Sequence, residues 1–322
     1  MALVFTALAD SGCAYLMWAG QQAQWNHISI WKQIDPGQCL AVAMMSIGLY
    51  GFGMSLNDII DRRRDQRISP HRPLASGSIG VAAAHVVCVL LVLMALVGGE
   101  IYVSTATATT SRIPLVLVVL TAAMIAFYDF VAKYLVPVGL LTLGMIRCVH
   151  AAIPAPHLPV LWHSLLLFNH VTILSTVSYH WEKKRPMLRK KHRRTLLMGI
   201  AAVNLVAVAW AIWRWDREGW GSLAIRPGLI GPGLAVVAFC GLAKWIRANN
   251  SNPRDAGQNL MLAGMLWLIV YDICFVMGYV GIGAGLLLLP LLPMAYVAVV
   301  VMRGWNNLLL LSQRPAFKRI ET

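Results

Sequence analysis

The chain reads as an all-α polytopic membrane protein, with about nine to ten transmembrane helices in one bundle. Three observations predict this. First, 58% of the 322 residues are apolar and only 12% are charged, with a mean hydropathy of +0.66, whereas a soluble domain carries about 25% charged residues. Second, ten apolar runs can be drawn, at 3–20, 39–57, 79–97, 113–131, 138–153, 160–180, 195–213, 228–246, 258–280 and 284–302. Most approach the ~20 residues that cross a bilayer. Third, 21 of the 27 Lys and Arg fall in one alternate set of connections and five in the other, with Arg147 inside a run. The positive-inside rule puts the richer set, and with it both termini and the Asp-rich loop, in the cytoplasm of an inner-membrane protein. That distribution accounts for the net charge of +14 without nucleic acid. The six cysteines sit singly within or at the ends of apolar runs, so neither disulfides nor zinc is expected from their spacing. No basic region precedes the first run and Asp10 interrupts it, so no cleavable signal peptide is expected.

The first run, A-L-A-D-S-G-C-A-Y-L-M-W-A-G, holds Asp10, which either lines a cavity or bonds a neighbouring helix. The second run leads into N-D-I-I-D-R-R-R-D-Q-R-I-S-P-H-R-P-L-A-S-G over 57–77, where three of nine aspartates fall within eight residues. Asp58, Asp61 and Asp65 are spaced by three and four, so a continuing helix puts them on one face with Asn57 a turn below Asp61. Clustered carboxylates repel unless a cation sits among them. Mg²⁺ shares its shell between carboxylates, water and substrate phosphates. Arg62, Arg63, Arg64, Arg67 and Arg72 lie alongside, and guanidinium suits phosphate oxygens. The segment is thus either a solvated, charge-balanced loop or a metal–diphosphate site; its place at a membrane mouth favours the site.

The connection at 98–112, rich in Ser and Thr, reads as solvated surface. A second cytoplasmic mouth, F-Y-D-F-V-A-K-Y-L-V-P-V-G, carries Tyr128, Asp129 and Lys133, the lysine either snorkelling or facing a phosphate. Deeper lies Arg147, in G-L-L-T-L-G-M-I-R-C-V-H. A lone Arg there costs at least ~2.5 kcal/mol on insertion scales, so it needs a partner. Asp10, Asp129, Asp272 and a bound diphosphate are the candidates. His150, a turn further, reads as a helix-to-helix hydrogen bond. The third mouth, T-V-S-Y-H-W-E followed by K-K-R-P-M-L-R-K-K-H-R-R, has one acid and eight Lys or Arg. It reads either as a loop facing anionic lipid or as cations closing over pyrophosphate. Asn204, Asn259 and Asp272 are the polar exceptions in later spans. Trp162, Trp181, Trp210, Trp213, Trp215 and Trp220 suit interfacial belts, and the tail after 302 an interfacial end. No nucleotide loop, nucleophile elbow or dinucleotide fingerprint occurs.

N-D-I-I-D-R-R-R-D with H-R-P-L-A-S-G resembles the first Asp-rich motif of the UbiA superfamily of intramembrane prenyltransferases. Tyr128 and Lys133 before a Gly-bearing fifth run resemble that family's Y-x-x-x-x-K signature. The likeness spans about residues 3–302, and the whole chain is expected to be a single UbiA-like transmembrane domain. The resemblance implies a helical bundle around a central cavity open to lipid and cytoplasm, with Mg²⁺ on Asn57, Asp58, Asp61 and Asp65. Asp58, Asp61 and Lys133 would be the catalytic residues, and Arg67, Arg72, Tyr128, Lys133 and Arg147 would grip a prenyl diphosphate. The implied reaction is transfer of the isoprenyl group to an aromatic or lipid acceptor. One departure stands out: Tyr179-His180-Trp181-Glu182 and the basic loop 183–194 occupy the place of the family's second Asp-rich motif. The G-M-I-R-C-V-H and T-V-S-Y-H-W-E segments are similar to a divergent EboC-like branch that shares this loss. Two expectations follow. Either the basic loop stands in for a second metal ion, or the chain is an inactive relative, an isoprenoid-precursor carrier or a subunit of a larger membrane complex.

Overall fold

A computed structural model of the chain describes residues 4–105, 111–156, 161–184, 186–218 and 225–312. Ten long helices account for the ten apolar runs, and among the described residues there is no strand. In chain order they are α1 (Val4–Trp25), a short α2 (Ile30–Gln33), α3 (Pro36–Ile68), α4 (Val81–Thr105), α5 (Ile113–Phe130), α6 (Val136–Ala152) and α7 (Leu161–Trp181). Then follow α8 (Lys190–Glu218), α9 (Ile230–Asn249), α10 (Pro253–Tyr279), a short α11 (Ile282–Leu286) and α12 (Leu291–Ser312). Seven segments, over α3, α4, α5, α8, α9, α10 and α11–α12, are long and apolar enough to cross a membrane, and α6 is a shorter apolar helix. α1 and α7 bury polar side chains, among them Asp10, Ser11, His163 and His170.

Local chemistry sets the helix ends. Asp35 caps α3 by accepting from Gln38 N at 2.9 Å, with Pro36 in the first turn, and Asn252 caps α10 by accepting from Arg254 N at 3.0 Å ahead of Pro253. Both pair an oxygen acceptor with a proline that has no N–H to satisfy. The end of α10 is set by Gly281, whose φ of 142° few other residues adopt. It separates α10 from α11 and makes the last two runs distinct elements, the final long helix starting at Leu291 rather than 284.

α10 lies at the centre, packed on α1, α7 and α9, and the closest helix pair is α3 with α4. Helices in lipid gain little from hiding apolar surface, so close backbone approach and hydrogen bonds hold them together. A Cβ on Gly48 would stand 2.6 Å from the Leu91 carbonyl oxygen, and one on Gly98 would stand 2.9 Å from that of Ala41. These glycines let α3 and α4 touch. α7 and α8 are joined instead by a reciprocal amide pair, Asn169 and Asn204, at 2.8 and 3.0 Å. The outer faces of α4, α8 and α9 expose Val86, Leu90, Leu205, Val206, Leu234 and Val237, as a lipid-facing surface must. Guanidinium groups cover two of the terminal tryptophans: Arg214 over Trp210 at 5.3 Å and Arg217 over Trp213 at 4.5 Å. Trp220 and the tail beyond Ser312 lie outside the described residues.

Candidate functional site

The 33 residues of α3 make a helix of roughly 50 Å, against a hydrocarbon core of about 30 Å. It is therefore longer than the apolar layer is thick, and its last turns, where the apolar sequence ends, carry Asn57, Asp58, Asp61 and Asp65. As the three–four spacing requires, all four are gathered, and each is held by a cation. Arg72 Nη1 donates to Asp65 Oδ2 at 2.7 Å and reaches Asp58 Oδ1 at 3.4 Å. Lys133 Nζ donates to Asn57 Oδ1 and Asp61 Oδ1, both at 3.0 Å, and lies 3.5 Å from Asp129 Oδ1. Arg72 faces α3 because residues 69–78 turn back on the helix. Arg72 N bonds Ser69 O at 3.0 Å, Ser76 N bonds Arg72 O at 2.8 Å, Leu74 is buried, and Gly77 takes a φ of 81°. This is the role of R-P-L-A-S-G. Lys133 sits on a single 3₁₀ turn, Ala132–Tyr134, after α5. α6 packs against that turn at Gly139, where a Cβ would stand 2.8 Å from the Ala132 carbonyl oxygen.

Above this ring a cavity of about 520 Å³ opens into the bundle. Asn57, Asp58, Arg72, Tyr128 and Asp129 line its polar mouth, and Arg147 and His150 its polar depth. Between them the wall is apolar, with Leu49, Met54, Ile125, Leu143, Ile146 and Met265 among its residues. Asp61, Asp65 and Lys133 stand beside the lining as its supports. Arg147 has a fixed partner: Nη1 donates to Asp10 Oδ2 at 2.5 Å and Nη2 to Thr6 Oγ1 at 2.7 Å. Of the candidate partners, Asp10 is the one engaged, and Asp10 bonds a neighbouring helix rather than lining the cavity. Arg67 is exposed in the last turn of α3, away from the cavity.

Two readings of the sequence are corrected. His150 makes no helix-to-helix hydrogen bond: both ring nitrogens are buried, lack a partner and belong to a residue lining the cavity. The described cations of the basic loop do not close over the site: none of them lines the cavity, Lys184 bonds Glu182 at 3.1 Å, and Glu182 packs against Gly257 near the start of α10. Arg185 lies outside the described residues. The inner face of α7 offers Ser175 to the cavity and no carboxylate. Tyr50 is a lining residue that sequence reading passed over. It sits seven residues before Asn57, two turns down the same helical face, and that spacing is the signal that points to it.

The sequence profile of the UbiA prenyltransferase family matches residues 12–269. A solved structure of digeranylgeranylglyceryl phosphate synthase superposes with a TM-score of 0.51 at 17% identity, over 86% of this chain and 98% of that one. At that identity the likeness shows a shared fold. No curated protein matches the chain.

Proposed function

The chain belongs to the UbiA prenyltransferase family, and we propose that it ionises a prenyl diphosphate at the mouth of the cavity and transfers the isoprenyl group to an acceptor inside. The observation that carries this reading is the set of closed ion pairs at the mouth. Lys133 holds Asn57 and Asp61, and Arg72 holds Asp58 and Asp65, beside an apolar chamber ending in Arg147. The set is built to exchange partners. A divalent cation would take the carboxylates, and the released guanidinium and ammonium would take the phosphate oxygens.

The donor set fits Mg²⁺: hard carboxylate and amide oxygens from Asp58, Asp61, Asp65 and Asn57, with room at the mouth for water. Bound there, Mg²⁺ would supply neutralisation of the charge that develops on the leaving diphosphate. Because α7 contributes no carboxylate, we propose one such ion, held from the α3 side. Arg72 and Lys133 would grip the diphosphate, with Tyr128 beside them, and Arg147 is held ready by Asp10 and Thr6. Once the partners have been exchanged, these charges, in a water-poor site, would stabilise the leaving group as it forms. The allylic C–O bond breaks with its electron pair going to the diphosphate oxygen. The apolar wall keeps water from the cation until a nucleophilic atom of the acceptor bonds to the same carbon.

The test is incubation of the purified chain in lipid nanodiscs with Mg²⁺ and labelled geranylgeranyl or farnesyl diphosphate. The reading expects diphosphate release that disappears in Asp58→Asn and Asp61→Asn. Tight prenyl diphosphate binding with no release, in the wild type and both variants, would identify a carrier instead.

A further inference from the structure

Behind Arg147, on the side away from the cavity, lies a second group of ligand-type side chains. Cys13 of α1, His163 of α7 and Asp272 of α10 each offer one donor atom, and these atoms lie within 4.8 Å of one another. All three residues are sealed from solvent, none more than 1% exposed. The cysteines show no metal-binding spacing along the chain; the cluster forms only when three helices separated by over a hundred residues meet. His163 Nε2 contacts Asp272 Oδ1 at 2.6 Å, the Cys13 thiol is within hydrogen-bonding reach of Asp272, and Asp272 also interacts with the Asp10 carboxyl. Asp10 Oδ1 and Asp272 Oδ2 are both buried, and beyond the contact of these two carboxyls with each other and with the Cys13 thiol no donor reaches them. An unpaired carboxylate oxygen in hydrocarbon costs several kcal/mol unless a cation or proton satisfies it, and Arg147 already uses the other Asp10 oxygen.

We propose that Cys13, His163 and Asp272 form a transition-metal site, with Zn²⁺ as its natural occupant. One sulfur, one imidazole nitrogen and one carboxylate oxygen make a borderline-soft donor set that suits zinc rather than Mg²⁺. The His163–Asp272 contact would open from 2.6 Å to about 3.4 Å, the edge of a tetrahedron with bonds of about 2.1 Å.

The metal would pin α1, α7 and α10 together. Through Asp272, whose carboxyl interacts with that of Asp10, it would also steady the Asp10–Arg147 pair. The site does not depend on the transferase reading: a chain that released no diphosphate would still hold zinc.

The experiment uses the tag-free full chain in nanodiscs, stripped with EDTA and then offered Zn²⁺, and separately Co²⁺, in the presence of excess Mg²⁺. One Zn²⁺ per chain is expected by elemental analysis. Co²⁺ is expected to give tetrahedral ligand-field bands together with a thiolate-to-cobalt charge-transfer band. Cys13→Ser should lose the charge-transfer band and Cys240→Ser should keep it. Asp272→Asn, which preserves side-chain shape, should lower Zn²⁺ affinity at least about tenfold, and it decides the matter should Cys13→Ser fail to fold. Absence of stoichiometric zinc, a cobalt spectrum without the charge-transfer band, or unchanged affinity in Asp272→Asn would overturn the proposal.

Discussion

Replacing Lys133 by Met keeps the length of the side chain and removes its charge, so the two roles given to this residue come apart. Lys133 is 9% exposed and serves Asp61, 13% exposed, and Asp129, 2% exposed. Removing one partner of a buried pair and leaving the other charged typically costs about 3–5 kcal/mol, so the variant should be markedly less stable in lipid. Asp129→Asn deletes the worst-placed unpaired charge, and Lys133→Met/Asp129→Asn should regain more than half of the lost stability. Turnover should not return with it. A missing preorganised donor to a developing anion costs about 10²–10³-fold in rate, and nothing in the double variant replaces the ammonium. The assays are unfolding in nanodiscs and diphosphate release under identical lipid conditions. A Lys133→Met chain as stable as wild type would refute the buried ion pairs. A double variant with wild-type turnover would refute contact between Lys133 and the diphosphate.

Three further outcomes follow from the geometry. Gly139→Ala would press a Cβ onto the Ala132 carbonyl oxygen, 2.8 Å away. The resulting shift of the Lys133 turn should cost up to about 100-fold in turnover, seen in kcat more than in stability. Arg72→Ala should weaken prenyl diphosphate binding strongly. Arg67→Ala and the pair Lys183→Ala/Lys184→Ala should leave binding and turnover near wild type, since none of these cations lines the cavity.

What could be read from the sequence was local. The three–four spacing of Asp58, Asp61 and Asp65 survives as one helical face because nothing in 57–68 interrupts the helix, and the arginine after the turn could be placed beside it. Arg147 illustrates the limit. Its depth demanded a partner, but choosing Asp10 among several acids requires knowing that α1 packs against α6, a contact 137 residues apart. His150 was misread for the complementary reason: hydrogen bonding was the ordinary expectation for a buried histidine, and only the packing shows that no partner reaches its ring nitrogens. The charge count of the basic loop allowed two readings, and its place is set by the start of α8 and the Glu182–Lys184 pair. Among the cysteines, Cys13 gains ligand-type neighbours, His163 and Asp272, and those come from α7 and α10.

The most direct measurement is a density map of the chain in nanodiscs with Mg²⁺ and a non-ionisable thiolo-diphosphate analogue of the prenyl donor. The account predicts metal density among Asp58, Asp61 and Asp65, phosphate oxygens within hydrogen-bond reach of Lys133 and Arg72, and the prenyl chain along the wall towards Arg147. An analogue bound elsewhere, with the Lys133–Asp61 and Arg72–Asp65 pairs still closed, would contradict it.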